Sequence, residues 1–240
     1  MMKIVGLVGI AREDVAQWSD SVKDMSKSIG RSPNELAEAL YFVTSSGFKT
    51  SEALGIVEES AKAAAAGLGE TQDIADLVTS VMNAYGQGNI SVAKTLDVLT
   101  AAVREGKGEA SQYATVLGTL VPFAAELGVS FDQVAGAVAS MTLSGASAAN
   151  AATYLRNLFM KLLKPAKQSE VALRAMGSST AELRDVLGEQ GLMPVLSKIR
   201  DLTNEYGQDM LGKVRPQIRG MLSILVLAGK NIEQVNKVME

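Results

Sequence analysis

The architecture of this chain is clearest in residues 63–88, which read AAAAGLGETQDIADLVTSVMNAYGQG. An apolar stripe at helical spacing, formed by Ile74, Leu77, Val78 and Val81, lies between two Gly-x-Gly sequences. Glycine ends a helix readily because it enters the left-handed region without a Cβ clash. The segment therefore predicts a helix that begins and ends at glycine turns.

The same pattern extends in both directions, with a glycine about every twenty residues. The tracts between the glycines keep a helical apolar spacing, and no period-2 apolar pattern persists, so the sequence predicts an all-α fold. We expect stacked helical hairpins with glycine-rich turns, followed by a smaller C-terminal helical region. The predicted turn residues are Gly47, Gly67, Gly69, Gly86, Gly106, Gly128 and Gly145.

Two helix starts carry a capping-box pattern, in which a serine is followed three residues later by a glutamate or glutamine. The first pair is Ser32 and Glu35, with Pro33 at the first helical position. The second pair is Ser130 and Gln133. We predict that these four side chains cap their own helices.

Residues 32–47 and 130–145 resemble each other at an offset of 98, with identity at six of sixteen positions and apolar character kept at others. One interpretation is a duplicated helix-plus-turn unit. The other is convergence, because every helix must satisfy the same unpaired end groups. Either interpretation predicts that both segments form a helix followed by a turn.

Two prolines mark breaks in the helical pattern. Pro122 lies inside a helix expected from about 109 to 127 and should kink it, since proline lacks a backbone donor. Pro165 marks the strongest boundary, because the residue before a proline is pushed out of the α region. We predict an N-terminal helical lead (1–30), a core helical-hairpin domain (31–165) and a C-terminal helical region (166–240). In the last, the expected helices cover 170–176, 181–187, 193–206 and 218–227.

Composition excludes several kinds of chemistry. The chain has 240 residues, no cysteine and no histidine, which removes disulfides, thiolate nucleophiles, imidazole bases and the usual zinc and haem ligands. We expect no catalytic residue, no cofactor and no metal. A net charge of −3 gives no overall nucleic-acid footprint. The apolar stretch at 4–10 is at the short limit for a signal peptide and runs into charged residues without a convincing cleavage site, so an apolar helix face is expected there.

Four local features have both a functional and a plain structural interpretation. The Gly-x-Gly sequences could cradle phosphate, but they lack the preceding strand and the complete motif of a nucleotide site. Glu70, Asp73 and Asp76 could form a carboxylate site, although acidic residues at a helix start also favour its dipole. Residues 198–230 are modestly basic and could face DNA or form a solvated surface. The apolar tract 221–227 suits a buried helix or a membrane-active segment.

Several of these stretches together resemble the conserved core of phage tail tape measure proteins, also called phage-related minor tail proteins. The resemblance covers about 135 residues, and its specificity comes from the order and spacing of pieces that are individually weak. The pieces are 39–48 (ALYFVTSSGF), 63–69 (AAAAGLG), 76–80 (DLVTS), 83–86 (NAYG), 101–107 (AAVREGK), 127–131 (LGVSF) and 162–165 (LLKP).

The resemblance implies a structural, non-enzymatic role in a phage or prophage tail. Members lie in the tail tube lumen, determine tail length during assembly in the host cytoplasm, and leave ahead of DNA, with the host inner membrane as a candidate target. The implied partners are tail tube and tail assembly chaperone proteins, other copies of the chain, and no sequence-specific nucleic acid. The chain departs from the family in length: even one continuous helix would reach only about 360 Å. We therefore expect it to be the globular core region.

Two other function classes fit the composition: a helical adaptor that binds partner helices, and a membrane-perturbing pore former. We also expect self-association, because stacked hairpins end in faces that neighbouring units normally cover. The predicted contact surfaces are a helix face with Val134, Val138 and Met141, or the segment 218–227.

Overall fold

The computed structural model describes residues 12–165 and 167–213. Within these ranges the chain forms eleven α-helices and no strand, so the predicted all-α fold is confirmed. The helices are α1 (Arg12–Ile29), α2 (Pro33–Ser45), α3 (Thr50–Ala65), α4 (Thr71–Tyr85), α5 (Val92–Glu105), α6 (Ala110–Glu126), α7 (Phe131–Leu143), α8 (Ala148–Leu163), α9 (Lys167–Ala175), α10 (Thr180–Gln190) and α11 (Leu192–Lys213).

The chain divides into two compact units. Unit 1 comprises residues 1–97 and 110–118, and unit 2 comprises residues 98–109 and 119–240. The division therefore falls inside α5 and α6, whose residues are shared between the units. These points differ from the sequence-based boundaries at 30 and 165, which stay predictions about domain organisation.

Unit 1 is built around α1, α2, α3 and α4. Helices α2, α3 and α4 pack on one another, and α1 packs on α2 and α3. Helix α1 contributes Trp18, Val22 and Met25 to the shared apolar core, and α2 contributes fully buried Leu36 and Leu40. A one-sided apolar stripe is enough for such packing, because each helix meets its neighbours along one face.

Unit 2 contains a second set of four packed helices. Helix α7 packs on α8, α8 on α10, α10 on α11, and α11 returns to α7. Leu155 and Phe159 of α8 are fully buried in its core, as are Val195 and Leu196 of α11. The three described helices beyond Pro165 begin near the predicted ones, while the predicted helix at 218–227 lies outside the described residues.

The two similar segments form the same local structure. Helices α2 and α7 each have 13 residues, and both ends of α7 lie 98 positions after those of α2. The residue that closes each helix has nearly the same backbone conformation, with φ −81° and ψ 3° at Ser46 and φ −80° and ψ 3° at Ser144. This agrees with the prediction that both segments are helix-plus-turn units.

The burial of α7 corrects one expectation about self-association. Val134, Val138 and Met141 are each 0% exposed inside a single chain, so they cannot form a contact surface for a second copy. Their apolar character is explained by packing within unit 2. The alternative surface, residues 218–227, lies outside the described residues.

Two further features concern helix continuity and length. Helix α6 continues through Pro122 to Glu126, and α8 ends at Leu163, two residues before Pro165. Among the described helices, none combines the length and the apolar character that crossing a bilayer would require.

Candidate functional site

The predicted capping box of α2 is replaced by a contact between two helices. Ser32, at the N-cap position, accepts a hydrogen bond from the Asn34 amide at 3.3 Å. The Glu35 carboxylate instead accepts a hydrogen bond from the hydroxyl of Thr71, the first residue of α4. Arg31 lies 3.5 Å from the same carboxylate. We call Arg31, Glu35 and Thr71 the Glu35 junction.

The burial of these groups explains why Glu35 turns away from its own helix. Thr71 is completely buried, and a buried hydroxyl without a partner would cost about 1–3 kcal/mol. Glu35 satisfies that hydroxyl while its own side chain remains 27% exposed beside Arg31. The junction therefore connects α2 to the start of α4.

The second predicted capping box is also replaced by a long-range contact. Ser130 occupies the N-cap position of α7, but its side chain makes no capping hydrogen bond. Gln133 accepts a hydrogen bond at 2.8 Å from the backbone amide of Leu192, the first residue of α11. The first amides of a helix have no partner inside the helix, so Gln133 supplies one from another element.

Gly191 makes this second contact possible. It is the single residue between α10 and α11, with φ 87° and ψ −171°, a conformation that is essentially restricted to glycine. A Cβ atom at this position would lie 2.5 Å from Nε2 of Gln133. We call Gln133, Gly191 and Leu192 the Gln133 junction.

The predicted turn residues lie between helices, with one local difference. Six of them have positive φ: Gly47, Gly67, Gly69, Gly86, Gly128 and Gly145. Gly106 does not; its amide donates to the Ala102 carbonyl at 3.0 Å, and Gly108 takes the positive φ of 141°. Gly69 also has a close neighbour, since a Cβ there would lie 3.2 Å from the Cα of Ser111. That part of unit 1 thus requires a residue without a side chain.

Sequence reasoning missed the two junctions and several caps. Ser147 and Ser179 cap α8 and α10 through their side chains. Each serine directly precedes its helix, and a serine at a helix start is a signal that the sequence itself contains. The junctions carried no comparable signal. Glu35–Thr71 and Gln133–Leu192 are 36 and 59 residues apart, so only the tertiary structure brings them together.

Asp73 and Asp76, near the start of α4, are close enough for the charge of one to affect the other. Burial, and then the neighbouring charge of Asp73, raise the pKa of Asp76. No group of three or more carboxylates in the described part of the chain is arranged to hold a metal ion. Because Glu70 and Asp73 begin a helix, their charges also favour its dipole.

The basic residues near position 200 are paired with acids where the structure describes them. Lys198 forms an ion pair with Glu182, and Arg200 with Asp201. Lys198 also lines an open groove of about 440 Å³ between α10 and α11, together with Val186 and Pro194. The rest of the predicted basic surface, from Lys213 onward, is not described beyond the last residue of α11.

The site residues therefore connect helices to one another and lie where helices begin and end.

The chain is similar to known proteins of phage tails. The family model described as phage-related minor tail protein matches residues 19–224. The chain is also similar to a tape measure protein of Pneumococcus phage Dp-1, with 21% identity over 251 aligned residues. That alignment covers all of this chain and 21% of the relative, so the chain spans about a fifth of the relative's length. No solved structure matches the chain.

Proposed function

Because this chain belongs to the phage-related minor tail protein family, we propose that it is the compact core region of a tape measure protein that acts in tail assembly. The observation that carries the proposal is the family match over residues 19–224, to which the similarity to a phage tape measure protein is added. The family supports a structural role in a phage tail. The proposed location is the lumen of the tail tube, after assembly in the host cytoplasm.

The proposed role is non-enzymatic and needs no cofactor. The chain contains neither histidine nor cysteine, and the polar junctions of the described residues connect helix to helix. The proposed partners are the tail tube protein, the tail assembly chaperones and further copies of the chain. During DNA ejection the chain would leave the tube ahead of the DNA, with the host inner membrane as a target.

The helix lengths restrict how this region contributes to tail length. The longest described helix, α11, has 22 residues and spans about 33 Å. A fully helical rod of 240 residues would instead span about 360 Å. A compact unit of about 120 residues is about 35 Å across. We therefore propose that this region adds far less to tail length than its residue number would suggest.

Removal of these 240 residues in frame from the phage gene tests the role, with tail length measured by electron microscopy. We expect tails that fail to assemble, or tails shortened by less than about 100 Å, which two compact units would account for. Removal of an equally long helical stretch elsewhere in the same gene is the control. Shortening by about 360 Å would contradict the compact core, and normal tails would contradict any assembly role.

Protease protection tests the location. In intact tails a lumenal protein is shielded by the tube wall, so we expect its peptides to survive digestion until DNA release is triggered. Mass spectrometry of the digests before and after release measures this. Equal cleavage in intact and emptied tails would place the chain outside the lumen and reject this part of the proposal.

A further inference from the structure

The C-terminal half of α8 and the residues after it form a basic surface without acidic partners. No aspartate or glutamate occurs between Asp132 and Glu170, a stretch that contains four cations. They are Arg156, Lys161, Lys164 and Lys167, and none of them forms an ion pair with a described carboxylate. Arg156, Lys164 and Lys167 are exposed and Lys161 is half-buried. We call these four residues the α8 basic surface.

This surface differs from the basic positions of the described chain that form ion pairs with carboxylates. Lys23, Lys27 and Lys62, for example, each lie within 3.2 Å of a carboxylate one turn away on their own helix. Such i,i+3 and i,i+4 pairs cancel charge locally. The α8 basic surface has no cancellation of this kind, and burial without a neighbouring carboxylate lowers the pKa of Lys161.

Arg184 of α10 adds a fifth positive charge at the same end of α8. Its guanidinium donates to the carbonyl of Leu162 and, at 2.6 Å, to that of Leu163, which are neutral acceptors. The helix dipole places only about half a negative charge at this terminus. Five cations therefore exceed what the helix end itself can compensate.

No described carboxylate of α9 or α10 forms an ion pair with the α8 basic surface. Glu170 of α9 is bonded to Arg174 and Thr180, and Glu182 of α10 to Lys198 and Ser178. Asp185 and Glu189 of α10 are exposed and make no ion pair with any residue that the structure describes. A local positive surface thus exists on a chain whose net charge is −3.

We propose that the α8 basic surface binds the phosphate backbone of nucleic acid without sequence preference. The exposed amide group of Asn157, next to Arg156 on α8, can donate to phosphate oxygens as well. Insertion into a membrane is disfavoured, because the apolar face of α8, with Leu155, Phe159 and Leu162, is buried in unit 2. Binding rests on charge and surface geometry and does not depend on the proposed tail function.

Fluorescence anisotropy with a labelled mixed-sequence DNA duplex tests the proposal on the full chain. Binding should weaken as salt rises, with a slope of log K against log salt of about −3 to −5 for four or five phosphate contacts. The variant Arg156→Gln/Lys161→Gln/Lys164→Gln/Lys167→Gln should bind about tenfold or more weakly at low salt. Circular dichroism of the variant checks that its helices remain.

A matched control changes the net charge by the same amount elsewhere. Lys23→Gln/Lys27→Gln/Lys49→Gln/Lys94→Gln should bind DNA within about twofold of the parent chain. Equal losses in the two variants, or no binding by the parent, would overturn the proposal. So would displacement of the DNA by poly-glutamate at an equal charge concentration, or stronger binding to phosphatidylglycerol vesicles, since these would indicate an acidic protein or a membrane.

Discussion

Helices α2 and α7 have the same length and the same ends, yet their surroundings differ. In α2 the buried residues form one stripe: Leu36, Ala39, Leu40, Val43 and Thr44. The equivalent positions of α7 are buried too, but so are the residues between them, so that 134–142 is buried without interruption. One helix packs along a face, and the other is enclosed.

The side chains that differ between the two helices are larger or charged in α2 and small in α7, in agreement with this difference in enclosure. Tyr41 and Phe42 of α2, which are half-buried, correspond to Ala139 and Ser140 of α7, which are buried. Exposed Glu38 corresponds to buried Gly136. Small residues let neighbouring backbones approach on every side, while large or charged residues need an open side. The same backbone unit is thus adapted to two environments by the residues outside its shared stripe.

The largest expected effect comes from exchanging residues at the position where the environments differ most. Gly136→Glu places a carboxylate inside α7, and an unpaired buried charge costs several kcal/mol, so we expect a loss of more than about 4 kcal/mol. The reciprocal change Glu38→Gly exposes no core and should cost about 1 kcal/mol through helix propensity. Denaturation followed by circular dichroism measures both.

Trp18 makes this comparison more specific. It is the only tryptophan in the chain and lies buried in unit 1, so its emission reports unfolding of that unit alone. We expect Glu38→Gly to shift the tryptophan transition slightly, and Gly136→Glu to remove helical signal. If the two variants proved equally stable, the conclusion that α7 is more enclosed than α2 would be wrong.

The second prediction concerns the Gln133 junction. Gly191→Ala must place a Cβ on the Gln133 side chain in a glycine-only conformation, so we expect a loss of about 2–3 kcal/mol. Gly128→Ala is the matched control in unit 2: it also has positive φ, but its Cβ would meet nothing within 4 Å, so about 1 kcal/mol is expected. Chemical denaturation compares them. Adding Gln133→Ala to Gly191→Ala should recover part of the loss, and no recovery would contradict the proposed clash.

The sequence predicts much of the fold and little of the junctions, for a physical reason. Stripes such as Ile74, Leu77 and Val78 and end residues such as Ser32 are local signals, because a helix repeats every 3.6 residues and each end must be satisfied nearby. Glu35 and Gln133 also carry a local signal, that of a capping box, but tertiary contacts outcompeted it. Each acceptor stabilises the fold more by pairing with a donor on another helix than by capping its own helix. The donors are the buried hydroxyl of Thr71 and the Leu192 amide, which has no partner inside its own helix.

A third, smaller effect separates the units by their response to acid. Hydrogen bonds from the hydroxyl and amide of Thr180, and then Arg174, lower the pKa of Glu170 in unit 2. The ion pair with Lys198 and the bond from Ser178 lower that of Glu182. Stability from a lowered carboxylate pKa is present above its unfolded value, about 4.3, and is lost as pH falls through the folded value. Unit 2 should therefore lose stability below about pH 4.3.

Asp76 in unit 1 has the opposite sign. Its raised pKa means that the folded state favours the protonated form, so its contribution improves as pH falls and worsens as pH rises. We expect Asp76→Asn to stabilise the chain at pH 7 with a gain that shrinks in acid, and Glu170→Gln to destabilise it at pH 7 with a loss that shrinks in acid. Denaturation midpoints of both variants and the parent, measured across the pH range, test these opposite signs. Parallel curves for both variants and the parent would contradict the assignment.

The smallest effect concerns a polar atom inside unit 1. Ser60 of α3 is 0% exposed, and its Oγ has no hydrogen-bond partner among the residues that the structure describes. Removing an unsatisfied buried hydroxyl eliminates a desolvation penalty, and alanine is the better helix former, so Ser60→Ala should stabilise unit 1 by about 1 kcal/mol.

Thr79 of α4 is the matched control, because it is equally buried but its Oγ1 donates to the Ala75 carbonyl at 2.9 Å. Thr79→Val should therefore be neutral or destabilising by up to about 1 kcal/mol. Denaturation followed by Trp18 emission resolves the two, and a Ser60→Ala variant less stable than the parent would show that the hydroxyl contributes a bond after all.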